Sequence, residues 1–289
     1  MTRRLFCFGL GYSARVLVHR LQARGWSVAG TAREAAHLAD LTAQGIDCFL
    51  FDRQHPLPAG AMAGATHILS SVPPDEEGDP VLDMARAALA AAGPAVSWIG
   101  YLSTTGVYGD YDGDWVDEES ALRPRSPRAW RRVTAEAGWL DLWRRNGAPV
   151  HLFRLAGIYG PGRSAIDEVR AGRARRIVKP GQVFSRIHVE DIATALEASM
   201  DAPAPGAIYN VCDDEAAPPQ DVIAHACALL GEPVPPEIPF DAATLSPMAQ
   251  SFWADNRRVR NDRLHRQLGV TLSYPTYREG LAALAGRDD

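Results

Sequence analysis

The chain has 289 residues, of which 46% are hydrophobic and 22% charged, so it can bury a full core made of one large domain and a smaller appendage. Its formal net charge of −5 argues against a nucleic-acid binder, and Lys179 is the only lysine among 30 basic residues, so the arginines reflect composition rather than a basic patch. No run approaches the roughly eighteen apolar residues of a membrane-spanning helix.

Strand and helix patterns alternate along the first half. Residues 5–8 form an apolar strand run, residues 12–24 carry Val16, Leu17 and Leu21 at helical spacing, and residues 27–31 make a second strand. The short apolar stretch after Met1-Thr2-Arg3-Arg4 is broken by Gly9 and Gly11, so it reads as a strand and not as a leader peptide. Residues 34–44 are expected as a helix and 48–51 as a strand. A strand at 67–72 is stopped by Pro73-Pro74, and an alanine-rich helix covers 81–92. Residues 96–102, 129–145 and 150–154 read as strand, long helix and strand. Strict alternation of this kind demands right-handed crossovers and a parallel sheet with helices on both faces.

The second half is less regular. Strands are expected at 183–189 and 208–211 and helices at 190–200, 219–230 and 275–284, between loops marked by Pro and Gly clusters. The fold class is therefore α/β, a Rossmann-type doubly wound parallel sheet with a smaller C-terminal substrate-capping domain. Residues 1–156 are expected to form the dinucleotide-binding domain, with 183–212 returning to it and 157–289 mainly capping the cleft.

Gly9-Leu10-Gly11-Tyr12-Ser13-Ala14 sits between the first strand and the first helix, where a dinucleotide fingerprint must sit. Gly9 permits the tight turn, Gly11 lets backbone approach a pyrophosphate, and Ala14 permits close helix packing. The N–H groups at the helix start, around Tyr12 and Ser13, then face the phosphates. An acidic residue about twenty positions on would bind a ribose 2′-hydroxyl, whereas arginine suits a 2′-phosphate. Arg33 comes first and Glu34 follows it, so NADP is favoured over NAD; the competing reading of Arg33 is a solvated residue at a helix start. By position, Asp52 reaches the adenine, and Ser71, Val72 and Pro73 flank the adenosine ribose and phosphates.

Four further motifs resemble the extended short-chain dehydrogenases/reductases, the group of nucleotide-sugar epimerases and dehydratases. They are Ser103-Thr104-Thr105-Gly106-Val107-Tyr108-Gly109, Arg154 with Tyr159-Gly160-Pro161-Gly162, Ile187-His188-Val189-Glu190-Asp191-Ile192-Ala193, and Tyr209-Asn210-Val211, in family order. The tail from Asn256 to Leu281 resembles atypical epimerase-like members. The resemblance implies backbone near Leu155 and Ala156 beside the nicotinamide, and a Ser or Thr of the active site at Thr104.

One departure is chemical. Members carry Tyr-x-x-x-Lys with a Glu four residues further on; setting that Glu on Glu136 puts Arg128 and Arg132 at the two places, and no sliding restores the pair. Guanidinium stays protonated above about pH 12, so Arg128 is no base, whereas Arg132 can supply the lysine's electrostatic role and its ribose contact. Thr104 is either a substrate hydrogen-bond partner or a strand-end backbone cap. Tyr108 is the best substitute phenol and otherwise a packing residue, with Tyr159 a weaker candidate. Arg163 and Arg186 are candidate anchors for an anionic substrate, with surface ion pairs as the alternative. No metal-ligand cluster is present in the sequence, and His188 is expected to order a helix start.

Two functions follow. One is an NADP-dependent epimerase, dehydratase or reductase acting on a polar, nucleotide-sugar-like substrate with a rearranged acid-base set. The other is a non-enzymatic NADP-binding sensor or interaction protein. Dispersed Cys7, Cys48, Cys212 and Cys227 fit the cytoplasm. By analogy with the superfamily the long helix at 129–145 forms a homodimer face, with a small-molecule substrate, no nucleic acid and no membrane as partners.

Overall fold

Leu5, Phe6, Cys7 and Phe8 are all fully buried, which is why an unbroken apolar run becomes a central strand covered on both faces. The computed structural model describes residues 3–91 and 95–286. In chain order the elements of the first half are β1 (Arg4–Phe8), α1 (Tyr12–Ala23), β2 (Ser27–Ala32), α2 (Ala35–Ala43), β3 (Asp47–Leu50), β4 (His67–Ser70), α3 (Pro80–Ala91), β5 (Trp98–Thr104), β6 (Trp115–Val116), α4 (Pro127–Asn146) and β7 (Val150–Leu155). They continue as β8 (Gly157–Tyr159), α5 (Ala165–Arg170), β9 (Arg176–Val178), β10 (Arg186–His188), α6 (Val189–Asp201), β11 (Ile208–Val211), α7 (Pro219–Leu230), β12 (Glu237–Pro239), α8 (Pro247–Trp253), β13 (Arg258–Val259), α9 (Asp262–Arg266) and α10 (Tyr277–Ala285).

The main sheet has seven strands in the order β11-β7-β5-β4-β1-β2-β3. The pairs β2/β3, β1/β2, β1/β4 and β4/β5 are parallel, with Phe6 opposite both Ala29 and Ile68. Helices flank the sheet, so the expected doubly wound α/β architecture is the observed one. The order of strands reverses between β1 and β4, and a crevice beyond the carboxyl ends of strands at such a reversal is where ligands bind in this class of sheet.

The chain gathers into two compact units. The first comprises Met1–Thr104, Pro127–Arg154 and Ala193–Tyr209; the second comprises Thr105–Ser126, Leu155–Ile192 and Asn210–Asp289. In the first, Phe6, Phe8, Ile68, Tyr101, Trp139 and Leu152 share one core, with Tyr101 stacked on Trp139 at 5.4 Å between ring centres. His67 and His151 lie near Trp98, and burial pushes each of these imidazoles down to about 4, so they are neutral core residues. In the second unit Tyr159, Ile166, Val222, Ala226, Tyr277 and Leu281 form the core. Thr276 and Glu279 close a reciprocal capping box at the start of α10.

The expected helix at 219–230 coincides with α7, and the one at 129–145 with the body of α4. Residue 92, the end of the helix expected at 81–92, lies outside the described residues. The strand expected at 183–189 is reduced to Arg186–His188, and it pairs with β8 in a separate two-stranded sheet. The reason is that the backbone before it is committed elsewhere: Val183 N donates to Asn256 Oδ1, and Phe184 pairs with Ala217.

Candidate functional site

Chemistry is concentrated where β1 ends. Gly9 has φ +81°, a left-handed conformation that suits glycine, and its N–H donates to Thr31 Oγ1 at 3.0 Å while its carbonyl accepts from Ser71 Oγ. A Cβ on Gly9 would lie 3.0 Å from Ser71 Oγ and 3.1 Å from Val72 Cγ2, so the turn is sealed against a side chain. At Gly11 the opposite holds, because nothing lies within 4 Å of the place a Cβ would take. Gly11 is also the N-cap of α1, with no side-chain cap and no acidic residue in the first turn. The helix therefore presents its positive end to open space in front of a backbone without a side chain, which is the cradle a pyrophosphate fits. Ala14, fully buried, lets α1 pack close to the sheet. Gly30 serves a different close approach: a Cβ there would meet the Cys7 carbonyl oxygen at 2.6 Å and the Leu10 side chain at 2.9 Å, which the spacing of the fingerprint gives no hint of.

The cradle opens into a crevice of about 850 Å³ in the first unit, a size suited to a cofactor. Gly9, Gly11, Arg33, Asp52, Ser71, Val72 and Pro73 all line it. Tyr12, Ser13 and Ala14 stand on the first turn of α1, and Leu155, buried at the end of β7, is not part of its lining. Arg33 is exposed and has no hydrogen-bond or ion-pair partner among the described residues, whereas Glu34 faces His37 at 3.8 Å. Asp52 accepts from the His55 ring at 2.8 Å and from the N–H groups of Gln54 and His55, and the ring contact leads in holding its carboxyl below the usual range.

Arg53 also lines the crevice, and no motif marks it. Its guanidinium holds Asp75 through two bonds of 2.7 and 2.8 Å and Asp83 through one of 2.8 Å. Asp75 Oδ1 in turn accepts from the N–H groups of Glu77 and Gly78. The loop after β4 is thus pinned to the loop after β3 at the rim.

The residues at and around the places where the resemblance expects an acid-base pair are distributed differently. Thr104 is the half-buried last residue of β5. Arg132, on α4, donates from Nη1 to Tyr101 Oη at 2.9 Å and to the Leu102 carbonyl at 2.8 Å, so its cation is fixed against the end of β5 by two neutral acceptors. Arg128 stands one helical turn earlier, exposed, its pKa lowered by partial burial and by Arg132. Tyr108 is fully buried in the second unit and donates its hydroxyl to Asn210 Oδ1 at 2.7 Å. Asn210 is held in turn, its N–H on Glu118 and its amide on the Arg260 carbonyl. This geometry serves the packing role left open for Tyr108 by the sequence.

Also in the second unit, Tyr159 lies edge-on to His188 at 5.1 Å, and burial, reinforced by Asp213, raises its phenol pKa. Arg163 belongs to a turn closed by backbone bonds with Gly160. Arg186 donates from Nη1 to the carbonyls of Phe184 and Ala217, and burial lowers its pKa. Asp213, unmarked in the sequence, is 2% exposed, and neither carboxyl oxygen has a hydrogen-bond partner among the described residues. Burial pushes it up to about 8 against the opposing pull of Arg186.

Comparisons with known proteins agree with this architecture. The sequence profile described as the NAD dependent epimerase/dehydratase family matches residues 9–212. Protein YeeZ of Escherichia coli (strain K12) is 30% identical over 218 residues, spanning 71% of this chain and 75% of that protein. A functionally unknown conserved protein from Silicibacter pomeroyi DSS superposes with a TM-score of 0.90 at 52% identity, over 98% of each chain. The dTDP-glucose 4,6-dehydratase of Bacillus anthracis str. Ames, solved in complex with NAD, superposes with a TM-score of 0.76 over 98% of this chain and 96% of that one. At 16% identity that likeness is one of fold.

Proposed function

This chain belongs to the NAD dependent epimerase/dehydratase family, and from that membership we propose that it is an enzyme that holds NADP in the crevice of its first unit. Its substrate is polar and nucleotide-sugar-like, and its acid-base set lacks Tyr-x-x-x-Lys. The observation that carries the reading is the cradle at Gly11, empty of any side chain within 4 Å, with the exposed Arg33 on the lining of the same crevice. Gly9, Gly11 and the start of α1 hold the pyrophosphate, Arg33 the 2′-phosphate, and Ser71 to Pro73 the adenosine side. When bound, the nicotinamide supplies hydride chemistry. Arg132 contributes a fixed positive charge and Thr104 a hydroxyl for a substrate oxygen; neither guanidinium serves as a base. Four free cysteines support a cytoplasmic setting, and no described helix is long and apolar enough to cross a membrane.

Fluorescence titration with NADPH and NADH tests the cofactor. Arg33→Ala is expected to weaken NADPH by roughly tenfold or more while leaving NADH nearly unchanged, because a charge-assisted contact to phosphate is lost. Equal losses for both would refute the assignment.

A second reading, a non-enzymatic NADP-binding protein, is favoured by one observation: the Tyr108 hydroxyl is spent on Asn210 inside the second unit. A panel of carbonyl and nucleotide-sugar compounds offered to the NADPH-loaded protein separates the two. Loss of nicotinamide absorbance with any of them supports the enzyme, and tight binding without turnover supports the sensor.

A further inference from the structure

Two loops that leave the main sheet far apart meet beyond its carboxyl edge. Strands β3 and β4 are separated by β2 and β1, three inter-strand spacings or about 14 Å. Arg53, three residues past the end of β3, nonetheless closes on Asp75, five residues past the end of β4, with Nε to Oδ2 at 2.7 Å and Nη2 to Oδ1 at 2.8 Å. The bridge therefore crosses the carboxyl ends of β1 and β2, and the residues that follow those strands, Gly9 and Arg33, line the same crevice as Arg53 and Asp75. Each loop is firm at its roots. Asp52 Oδ1 accepts from the N–H groups of Gln54 and His55, which sets the loop that carries Arg53. The other loop is fixed at Ser71, bonded to the Gly9 carbonyl, and at the buried Asp79, which accepts from Trp139 Nε1 at 2.9 Å and from the N–H groups of Val81 and Leu82. Between these anchors the span is held by Arg53 and, more weakly, by the exposed Glu76 through Arg131 at 3.3 Å. Arg53 also donates to Asp83 at 2.8 Å and has Glu77 at 3.9 Å, so its charge is answered inside the protein and it is no vacant phosphate ligand.

We infer that Arg53 and Asp75 form a gate across the adenosine end of the crevice, which opens to admit and release the dinucleotide and closes again over the filled site. The inference rests on the proposed cofactor reading and deepens it by naming the residues that control cofactor exchange. The side chains of Arg53 and Asp75 are 24% and 42% exposed, so water and salt reach the bridge and it can part without disturbing the core. Pro73 and Pro74 fix φ at two successive positions, so the released span moves as a stiff unit. A gate of this kind acts on the path and not on the end state: it slows entry and exit together and leaves the affinity nearly unchanged.

Stopped-flow fluorescence of the full chain with NADPH and with NADH, at constant ionic strength, tests the gate in two variants that break the bridge from opposite sides. Arg53→Gln removes a positive charge from the crevice and Asp75→Asn a negative one. Asp75→Asn keeps the Oδ1 acceptor that holds the turn, so it reports on the gate even where Arg53→Gln fails to fold. Each variant is expected to raise both the association and the dissociation rate constant by roughly tenfold, with Kd within about threefold of wild type and the same result for both dinucleotides, because a charge-assisted bond that must break on the path is gone. Charge alone would act differently, raising one rate constant while lowering the other, and in opposite senses in the two variants. That pattern, or rate constants within about twofold of wild type, or a faster dissociation with unchanged association, overturns the gate. An effect confined to NADPH would make Arg53 a phosphate ligand and overturns it equally. Absence of binding of either dinucleotide to the wild-type chain overturns the cofactor reading and the gate together, whereas intact binding with wild-type rates overturns the gate alone.

Discussion

Glu136 and Arg154 face each other as a doubly hydrogen-bonded ion pair, with Nη2 to Oε2 at 2.8 Å and Nε to Oε1 at 3.1 Å, and side chains 3% and 4% exposed. Ser103 adds its hydroxyl to Oε1 at 2.6 Å, so strand β5, helix α4 and strand β7 are tied at one buried point. Removing one partner of such a pair leaves a buried charge without compensation, at a cost of about 3–5 kcal/mol. Glu136→Gln should lower the denaturant midpoint accordingly, whereas Ser103→Ala should cost only about 1 kcal/mol. A wild-type midpoint for Glu136→Gln would show that the pair contributes nothing to stability.

The two glycines of the cradle should fail in different ways. Gly9→Ala places a side chain at φ +81° against Ser71 and Val72, so it should lose about 1–3 kcal/mol of stability along with dinucleotide binding. Gly11→Ala puts a methyl into open space at an ordinary φ of −84°, so the fold should be kept while dinucleotide affinity drops. Thermal melts and NADPH titration distinguish the cases. Unaltered affinity in Gly11→Ala would mean that the dinucleotide binds elsewhere.

Asp213 gives stability a pH dependence. Its folded pKa is raised to about 8 from 3.8, so between those values the folded chain binds more protons than the unfolded chain. Stability from this group is therefore complete at acid pH and falls as pH rises toward about 8. Arg186, Tyr159 and Asp214 are the charged or titratable groups acting on or answering to it. Asp213→Asn should gain stability relative to wild type as the medium goes from about pH 5 to about pH 8. A relative loss over that interval would show that the ionised carboxylate is stabilised by Arg186 rather than penalised by burial.

Tyr108→Phe separates packing from catalysis. With the hydroxyl gone, Asn210 Oδ1 loses its donor inside the second unit, at about 1–3 kcal/mol. A proton-transfer role would instead depress turnover by about 10²–10⁴-fold. The buried geometry predicts the first result, a lower melting temperature with the rate at permissive temperature nearly preserved.

Much of the first unit was legible because its signals are local. Gly9, Gly11 and Arg33 announce themselves by spacing, and the buried run at residues 5–8 fixes a central strand without any long-range information. Arg53 was not legible, because its meaning depends on Asp75 and Asp83, more than twenty positions away and marked by no pattern. The short strands β6, β8, β9, β12 and β13 have at most three residues each, too few for an alternation to register. Asp213 reads in the sequence like any loop carboxylate, and only its complete enclosure distinguishes it.

The first unit is assembled from three separated stretches, the last ending at Tyr209, and its edge strand β11 begins at Ile208. During synthesis the glycine loop therefore leaves the ribosome long before the sheet that supports it is complete. An N-terminal fragment stopping near residue 156 would lack that edge strand and expose the flank of β7. The unit that carries the glycine loop is thus not a portable cassette: a protein that needed only this loop would have to inherit nearly the whole chain with it.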